Sequence, residues 1–146
     1  MRIVSAQEMY AIEQRAMKSG LAQHTLIENA ANAIAKVVRK RLTGVIGKNI
    51  IVLAGPGNNG EDALGAALVL AKWGANITIH SIRNDNRAED LINSLNNSRQ
   101  NLIKSSQKFL QFLDDIDRLD DKYLVLDGLF GTGFKDRPES KIYELT

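Results

Sequence analysis

The stretch that decides the fold runs from Asn49 to Trp73 and reads NIIVLAGPGNNGEDALGAALVLAKW. Its opening residues, NIIVLA, are apolar and largely β-branched, as in a buried strand. From Glu61 onward apolar residues recur at helical spacing, and Gly74 provides a helix stop. The segment between them, GPGNNG, has the glycine order G-x-G-x-x-G. The pattern predicts a strand, a glycine loop and a helix, which together begin an α/β fold.

The first glycine loop, Gly55 to Gly60, can be a simple tight turn or an anion site. Glycine lets the backbone approach a ligand closely, and N–H groups at a helix start attract pyrophosphate. Two amides at its tip, Asn58 and Asn59, offer donors and acceptors for sugar hydroxyls, a carboxamide or a cation. Glu61 and Asp62 follow in the first helical turn and would repel a phosphate bound there. The loop is therefore predicted to be a polar site with its own acids.

Composition excludes several classes of protein. A length of 146 residues suits one domain with its own core, and 44% hydrophobic with 25% charged residues is ordinary for a soluble globular protein. A formal net charge of +2 is too small to indicate nucleic-acid binding. The sequence shows no membrane-length apolar run and no signal-like start, so a cytoplasmic protein without membrane contact is expected. Without cysteine, and with two histidines, disulfides, thiol catalysis and a histidine-based triad are not expected.

The flanking sequence predicts alternating helices and strands. Two helices precede the first strand, one opened by a capping box at Ser5 and Glu8 and one by a second box at Thr25 and Glu28. The later elements are a strand over 75–82, a polar helix over 84–99, a weak strand near 101–104, a helix over 106–118 and a buried strand over 122–126.

Three polar residues close to the end of the second strand have competing interpretations. His80 is interpreted as a surface residue at the strand end rather than a catalytic base. Arg83 is interpreted as a loop cation, with contact to a 2′-phosphate as the alternative. Asp85 is a late candidate for holding a ribose, as a dinucleotide fingerprint requires.

A second glycine loop, Gly128 to Gly133, follows the last strand and Asp127. In an open parallel sheet that strand is expected to pair on the other side of the first strand, which gives the order 3-2-1-4. Both loops then lie at the topological switch point, where ligands bind in such sheets. The sequence therefore predicts an α/β, Rossmann-like three-layer sandwich with a mostly parallel sheet and two N-terminal helices. The two loops, the two amides and Asp127 should converge on one crevice.

Four segments together resemble the NAD(P)HX epimerases, also called the YjeF N-terminal domain family. They are Ser5 to Met9, Leu26 to Ala31, Gly55 to Asp62, and Asp127 to Gly133, and they occur in the family's order over nearly all of the chain. The family interconverts the R and S epimers of NADH and NADPH hydrated on the nicotinamide ring. A partner dehydratase, often fused, then dehydrates the S epimer at the expense of ATP or ADP.

The resemblance implies particular ligand-binding residues but no catalytic base. Asn59 and Asp127 would be ligands of a bound potassium ion. The residues implied to bind hydrated NADH or NADPH are Asn58, Asn59, Gly60, Glu61, Asp62, Gly131, Thr132, Gly133, Phe134, Lys135, Asp136 and Arg137.

This chain departs from the family pattern in three ways. Glu61 and Ala63 stand where the family usually has glycine, and the family domain continues with another strand and a ligand-bearing loop. Residues 1–146 are therefore expected to form a single domain of this type that lacks the C-terminal strands. The last strand would then have an apolar, unpaired edge, which predicts self-association, either as a homodimer or as an aggregate.

Two functions follow from these observations. The first is epimerisation of hydrated NADH or NADPH, which the amides Asn58 and Asn59 and the second glycine loop favour. The alternative is a catalytically inactive Rossmann-like binding or interaction module, or a truncated remnant of the enzyme, which Glu61 and the missing segment favour.

Overall fold

The computed structural model of the chain describes residues 4–95, 99–118 and 122–131. The strand, loop and helix predicted around Gly55 are confirmed, as are the two N-terminal helices, except that the helix after the loop begins at Asn58 and not at Glu61. Within the described ranges the elements are α1 (Ala6–Lys18), α2 (Gln23–Arg41), β1 (Asn49–Ala54), α3 (Asn58–Lys72), β2 (Asn76–Ser81), α4 (Arg87–Leu95), β3 (Gln100–Ile103), α5 (Ser106–Arg118) and β4 (Tyr123–Gly128). No helix in these ranges has the length and apolar character needed to cross a membrane.

The strands form one four-stranded parallel sheet in the order β3-β2-β1-β4. The predicted order 3-2-1-4 is therefore confirmed. In the central register, Ile50 of β1 lies between Ile77 of β2 and Leu124 of β4. At the carboxyl edge, Ala54 pairs with Gly128, so the chain segments that leave β1 and β4 start side by side. This edge holds both glycine loops.

One face of the sheet is covered by α2, α3 and α4. Because successive side chains of a strand point to opposite faces of the sheet, Ile50 and Val52 of β1 both point into this core, where both are fully buried. Small residues let the helices approach closely, since a Cβ added at Gly65 of α3 would lie 2.9 Å from the Cβ of Ala31 of α2. This layer provides most of the buried apolar surface and sets the position of α3, whose first turn carries the predicted site.

The other face of the sheet is covered in part by α5, so the described residues form three layers. Phe109 of α5 is 2% exposed and stacks on His80 of β2 with ring centroids 4.3 Å apart. His80 is fully buried, and its Nδ1 lies 2.7 Å from the carbonyl oxygen of Ile103. Burial lowers the pKa of His80, so the imidazole is neutral near pH 7. The interpretation of His80 as a surface residue was wrong, because α5 packs over this part of β2.

Three local predictions are corrected by the structure. The capping box at Ser5 and Glu8 is confirmed, but the one at Thr25 is wrong, because α2 begins at Gln23 with Ala22 as its N-cap and no side-chain cap. Helix α4 begins at Arg87, later than predicted. Strand β4 is not fully buried, since it is an edge strand of the described sheet and its Val125 is 55% exposed.

Candidate functional site

The two glycine loops meet at the carboxyl edge of the sheet and are joined by hydrogen bonds. The backbone N–H of Gly55 donates to the carbonyl oxygen of Gly128 at 3.1 Å. The side-chain Nδ2 of Asn59, in the first turn of α3, donates to the carbonyl oxygen of Phe130. The predicted convergence of the loops is therefore confirmed, and Asn59 is the side chain that links them.

Two glycines are required because backbone passes directly over them. A Cβ added at Gly60 would lie 2.0 Å from the carbonyl oxygen of Gly55, and one added at Gly55 would lie 2.0 Å from that of Leu129. Neither position can hold a side chain without moving backbone. Gly57 differs, since a Cβ there would have nothing within 4 Å. The loop is thus packed tightly against α3 and the second loop, and open at Gly57.

The structure brings together the predicted site residues that it describes. Asn58 is exposed at the start of α3, and Asn59, Glu61 and Asp62 are half-buried. Gly131 is exposed beside Asn59, whose Cβ would lie 3.3 Å from a Cβ added at the glycine. The other predicted members lie outside the described residues: Thr132, Gly133, Phe134, Lys135, Asp136 and Arg137.

Arg83 is the site residue whose role the sequence did not predict. Its side chain is 4% exposed and reaches under the first glycine loop, where Nη1 donates to the carbonyl oxygens of Gly55 at 2.9 Å and Gly57 at 3.2 Å. Arg83 does lie in a loop, on the short segment that leaves β2, but its charge is buried against the first glycine loop. The available signal was Asp85 two residues later, which holds the guanidinium with hydrogen bonds of 3.0 and 2.6 Å.

Arg83 belongs to a closed ring of charges that we call the ion-pair ring: Glu61, Arg83, Asp85 and Arg87. Arg83 contacts Glu61 at 3.4 Å and Asp85 at 2.6 Å, and Arg87 contacts both carboxylates. Two arginines and two carboxylates make the ring neutral. The sequence led us to expect that Glu61 repels a phosphate. The structure corrects this expectation, because Arg83 and Arg87 both pair with Glu61 and balance its charge. The bonds from Arg83 also lower the pKa of Asp85, whose carboxylate is occupied by this pairing rather than open to a ribose.

Asp62 has a different environment from the carboxylates of the ring. Burial raises the pKa of Asp62, and the negative charges of Glu13 and Glu61 raise it further. Asp62 lies just past the first turn of α3, where Glu61 is the acid. A carboxyl with a raised pKa, four residues after Asn58 on α3 and so on the same side of the helix, is a candidate for proton transfer.

We expect Asp62→Asn to stabilise the fold at neutral pH and not at low pH. The folded state binds the Asp62 proton more tightly than the unfolded state, so stability is present in full below the ordinary pKa of about 3.8 and is lost as pH rises through the folded value. The neutral amide avoids that loss. The gain in melting temperature should therefore be largest at pH 7 and disappear near pH 3.5. Asp115→Asn, on the exposed surface of α5, is the control for loss of one charge, and an equal gain there would contradict the assignment.

The predicted potassium ligands offer suitable chemistry. The Nδ2 of Asn59 donates to the carbonyl oxygen of Phe130, so the amide oxygen is the side-chain atom that could accept a cation. One carboxylate oxygen of Asp127 accepts from the N–H of Leu129 at 2.9 Å. Amide and carboxylate oxygens are ligands for hard cations. Among the described residues there is no cluster of three or more histidine, cysteine or acidic side chains that could hold a metal ion. The two oxygens are therefore of the kind that a potassium ion binds.

A parallel sheet with paired glycine loops at its topological switch point defines a Rossmann-like α/β protein with a ligand crevice. The family model described as YjeF-related protein N-terminus matches residues 23–146, and the chain belongs to this family.

Similar proteins agree with this assignment. An NAD(P)H-hydrate epimerase of Yarrowia lipolytica is 35% identical over 139 residues, which cover 91% of this chain and 54% of that protein. A bifunctional NAD(P)H-hydrate repair enzyme of Dictyoglomus turgidum is 29% identical over 137 residues, 92% of this chain and 26% of that protein. The crystal structure of the yeast protein ynu0 superimposes with a TM-score of 0.78 at 24% identity, covering 99% of this chain and 63% of that one, which shows the shared fold. The chain thus spans little more than half the length of the Yarrowia epimerase.

Proposed function

We propose that this chain forms the substrate site of an NAD(P)H-hydrate epimerase, which interconverts the R and S epimers of hydrated NADH and NADPH. The observation that carries the proposal is the bond from Asn59 to Phe130, which joins the two glycine loops into one crevice. Family membership and relatives named NAD(P)H-hydrate epimerase support it. The alternative of an inactive binding module loses one of its two supports, because the charge of Glu61 is balanced within the ion-pair ring.

The crevice offers the groups that a hydrated dinucleotide needs. The open N–H groups at the start of α3 favour a pyrophosphate, and the neutral ion-pair ring does not oppose it. Asn58 and Asn59 provide amides for sugar hydroxyls or the carboxamide of the nicotinamide ring. We further propose that Gly131 and the residues after it, through Arg137, complete the ligand contacts, and that Asn59 and Asp127 bind a potassium ion.

The chemistry needs a group that exchanges a proton near C6 of the ring. Epimerisation requires either that a proton leaves and returns or that the ring opens and closes. We propose Asp62 as the candidate acid–base group, because it lies one helical turn after Asn58 on α3 and its pKa is raised. A dehydratase that consumes the S epimer is the expected partner, as the name of the bifunctional Dictyoglomus protein suggests. Homodimer formation stays a prediction.

The proposed function is tested with hydrated NADPH enriched in one epimer. Wild-type protein should speed its conversion to the equilibrium mixture, followed by chromatographic separation of R and S. Asn59→Ala should slow conversion by roughly 100-fold, the size of effect expected when reacting groups lose their positioning. Asn101→Ala, on the exposed side of β3, should leave the rate unchanged.

Thermal denaturation separates the possible failures. Ligand at 100 times its Kd should stabilise the protein by about 2.7 kcal/mol. A shift in melting temperature without epimerisation would support the binding-module alternative. If neither is seen at millimolar hydrated NADPH, the proposal is wrong.

A further inference from the structure

The ion-pair ring has a role beyond neutralising its own members. We propose that Arg83 is a positioning residue of the first glycine loop. It binds the loop carbonyls, so that they point toward Arg83 and not toward a ligand, and it cancels the charge of Glu61. Both effects allow an anionic ligand to bind at the start of α3. This inference rests on the proposed function, since it concerns the same crevice.

All five N–H donors of Arg83 are used inside the protein. Nη1 binds the carbonyl oxygens of Gly55 and Gly57, Nε binds Asp85, and Nη2 binds Asp85 and Glu61. A guanidinium has five donors in a rigid plane, so none is left for a ligand. The alternative of direct contact between Arg83 and a 2′-phosphate is therefore not favoured. Arg83 acts on a ligand only through the loop that it holds.

The bond to Gly57 determines where the ligand-facing N–H group points. In a trans peptide the C=O and the following N–H point in opposite directions. The carbonyl of Gly57 faces Arg83 and also accepts from the N–H of Gly60 at 3.0 Å. The N–H of Asn58 is therefore directed away from Arg83. It is one of the first N–H groups of α3, which lack carbonyl partners within the helix and attract anions.

The charge of Glu61 makes this arrangement depend on Arg83. Glu61 is 21% exposed and has two partners, Arg83 and Arg87. Arg87 is 56% exposed, so water and salt screen its charge, whereas the side chain of Arg83 is almost completely buried. Without Arg83, a poorly compensated carboxylate would remain in the first turn of α3, where it competes with the phosphates of a ligand.

A double-mutant cycle tests the inference, with the Kd of hydrated NADPH measured by calorimetry. Arg83→Met should weaken binding roughly 30-fold, because the loop is released and Glu61 is left poorly compensated. Glu61→Gln should strengthen binding up to about threefold, because the ion-pair ring then carries a net positive charge near the anionic ligand. In the Glu61→Gln background, Arg83→Met should cost only about threefold, since the released charge no longer exists. A loss that is the same in both backgrounds would mean that Arg83 supports only the fold, and would overturn the proposal.

Two further variants keep the test decisive. Arg118→Met is the matched control, because it makes the same substitution at an exposed residue where α5 ends, at the opposite edge of the sheet; it should leave the Kd unchanged. If Arg83→Met does not fold, Arg83→Gln replaces it in the cycle. Glutamine is polar but neutral, so it leaves Glu61 poorly compensated as methionine does, and the coupling to Glu61 should still be present.

Hydrogen exchange separates failure of this inference from failure of the proposed function. If wild-type protein does not bind hydrated NADPH, the function fails, but the hold on the loop can still be measured. The N–H groups of Gly60 and Glu61 both donate to Gly57. Their exchange should become roughly tenfold faster in Arg83→Met and stay unchanged in Arg118→Met. Unchanged exchange in Arg83→Met would contradict the positioning role irrespective of ligand.

Discussion

Replacing Gly60 by alanine is expected to push the start of the first glycine loop away from α3 and to abolish ligand binding. The new Cβ would lie 2.0 Å from the carbonyl oxygen of Gly55 and 2.8 Å from its backbone nitrogen. These are backbone atoms and cannot rotate aside, so we expect a loss of about 3 kcal/mol in the free energy of unfolding, the upper end for overpacking. The sign of the change in stability is informative, because alanine in place of glycine inside a helix ordinarily stabilises the protein by up to about 1 kcal/mol.

Gly57→Ala is the matched control for this substitution. A Cβ at Gly57 would have nothing within 4 Å, and its φ of −91° suits any residue. The free energy of unfolding of Gly57→Ala, measured in urea, should therefore stay within about 0.5 kcal/mol of wild type, as for surface substitutions. Equal stability of the Gly60 and Gly57 variants would show that the loop does not pass over α3 as described.

Phe109→Ala is expected to detach α5 from the sheet. Phe109 is 2% exposed, and its ring covers His80 in a parallel stack. Removing a buried aromatic ring costs about 3–5 kcal/mol, and we expect a loss near the lower end because α5 is at the periphery of the fold. Leu110→Ala, the neighbouring residue at 45% exposure, should cost about 1 kcal/mol or less and serves as the control. Similar losses in the two variants would contradict the packing of α5.

The same variant should also change the pH dependence of stability. The pKa of His80 is lowered by burial, so the folded state binds its proton less tightly than the unfolded state. That contribution to stability is present in full above the ordinary pKa of about 6.5 and is lost as pH falls below it. In Phe109→Ala the imidazole becomes accessible to water, so the decrease in urea midpoint between pH 7 and pH 5 should be smaller than in wild type. A decrease as steep as that of wild type would mean that Phe109 does not bury His80.

Local pattern was sufficient for the glycine loops and the order of the sheet. The strand from Asn49 and the helix predicted from Glu61 both follow from periodicity within their own residues, although the helix begins three residues earlier, at Asn58. The meeting of the loops follows from one general rule for parallel sheets. After strands have been added on one side of the first strand, the next strand pairs on the other side of it, which brings the ends of β1 and β4 together. The cap of α2 was mispredicted for an equally local reason, because a Thr-x-x-Glu pattern also occurs inside a helix that begins one turn earlier.

The electrostatics of the site could not be predicted in the same way. Arg83 and Glu61 are 22 positions apart, and Arg83 and Gly55 are 28 apart. Whether Glu61 repels or tolerates an anion depends on whether a cation from the segment after β2 lies close to it. No local sequence pattern encodes the distance between these two residues. The raised pKa of Asp62 likewise depends first on burial and then on the charge of Glu13, and both arise only in the folded chain.

The sequence by itself determined the class of fold, the two glycine loops and the edge at which they meet. These depend on periodicity, turn chemistry and handedness, which act over short stretches or apply to every parallel sheet. Only the tertiary structure decided that Arg83 holds the first loop, that Glu61 is neutralised, and that His80 is buried under Phe109. The physical reason is that burial and ion pairing are set by which surfaces are packed together, and each of these contacts joins residues from different elements of the chain.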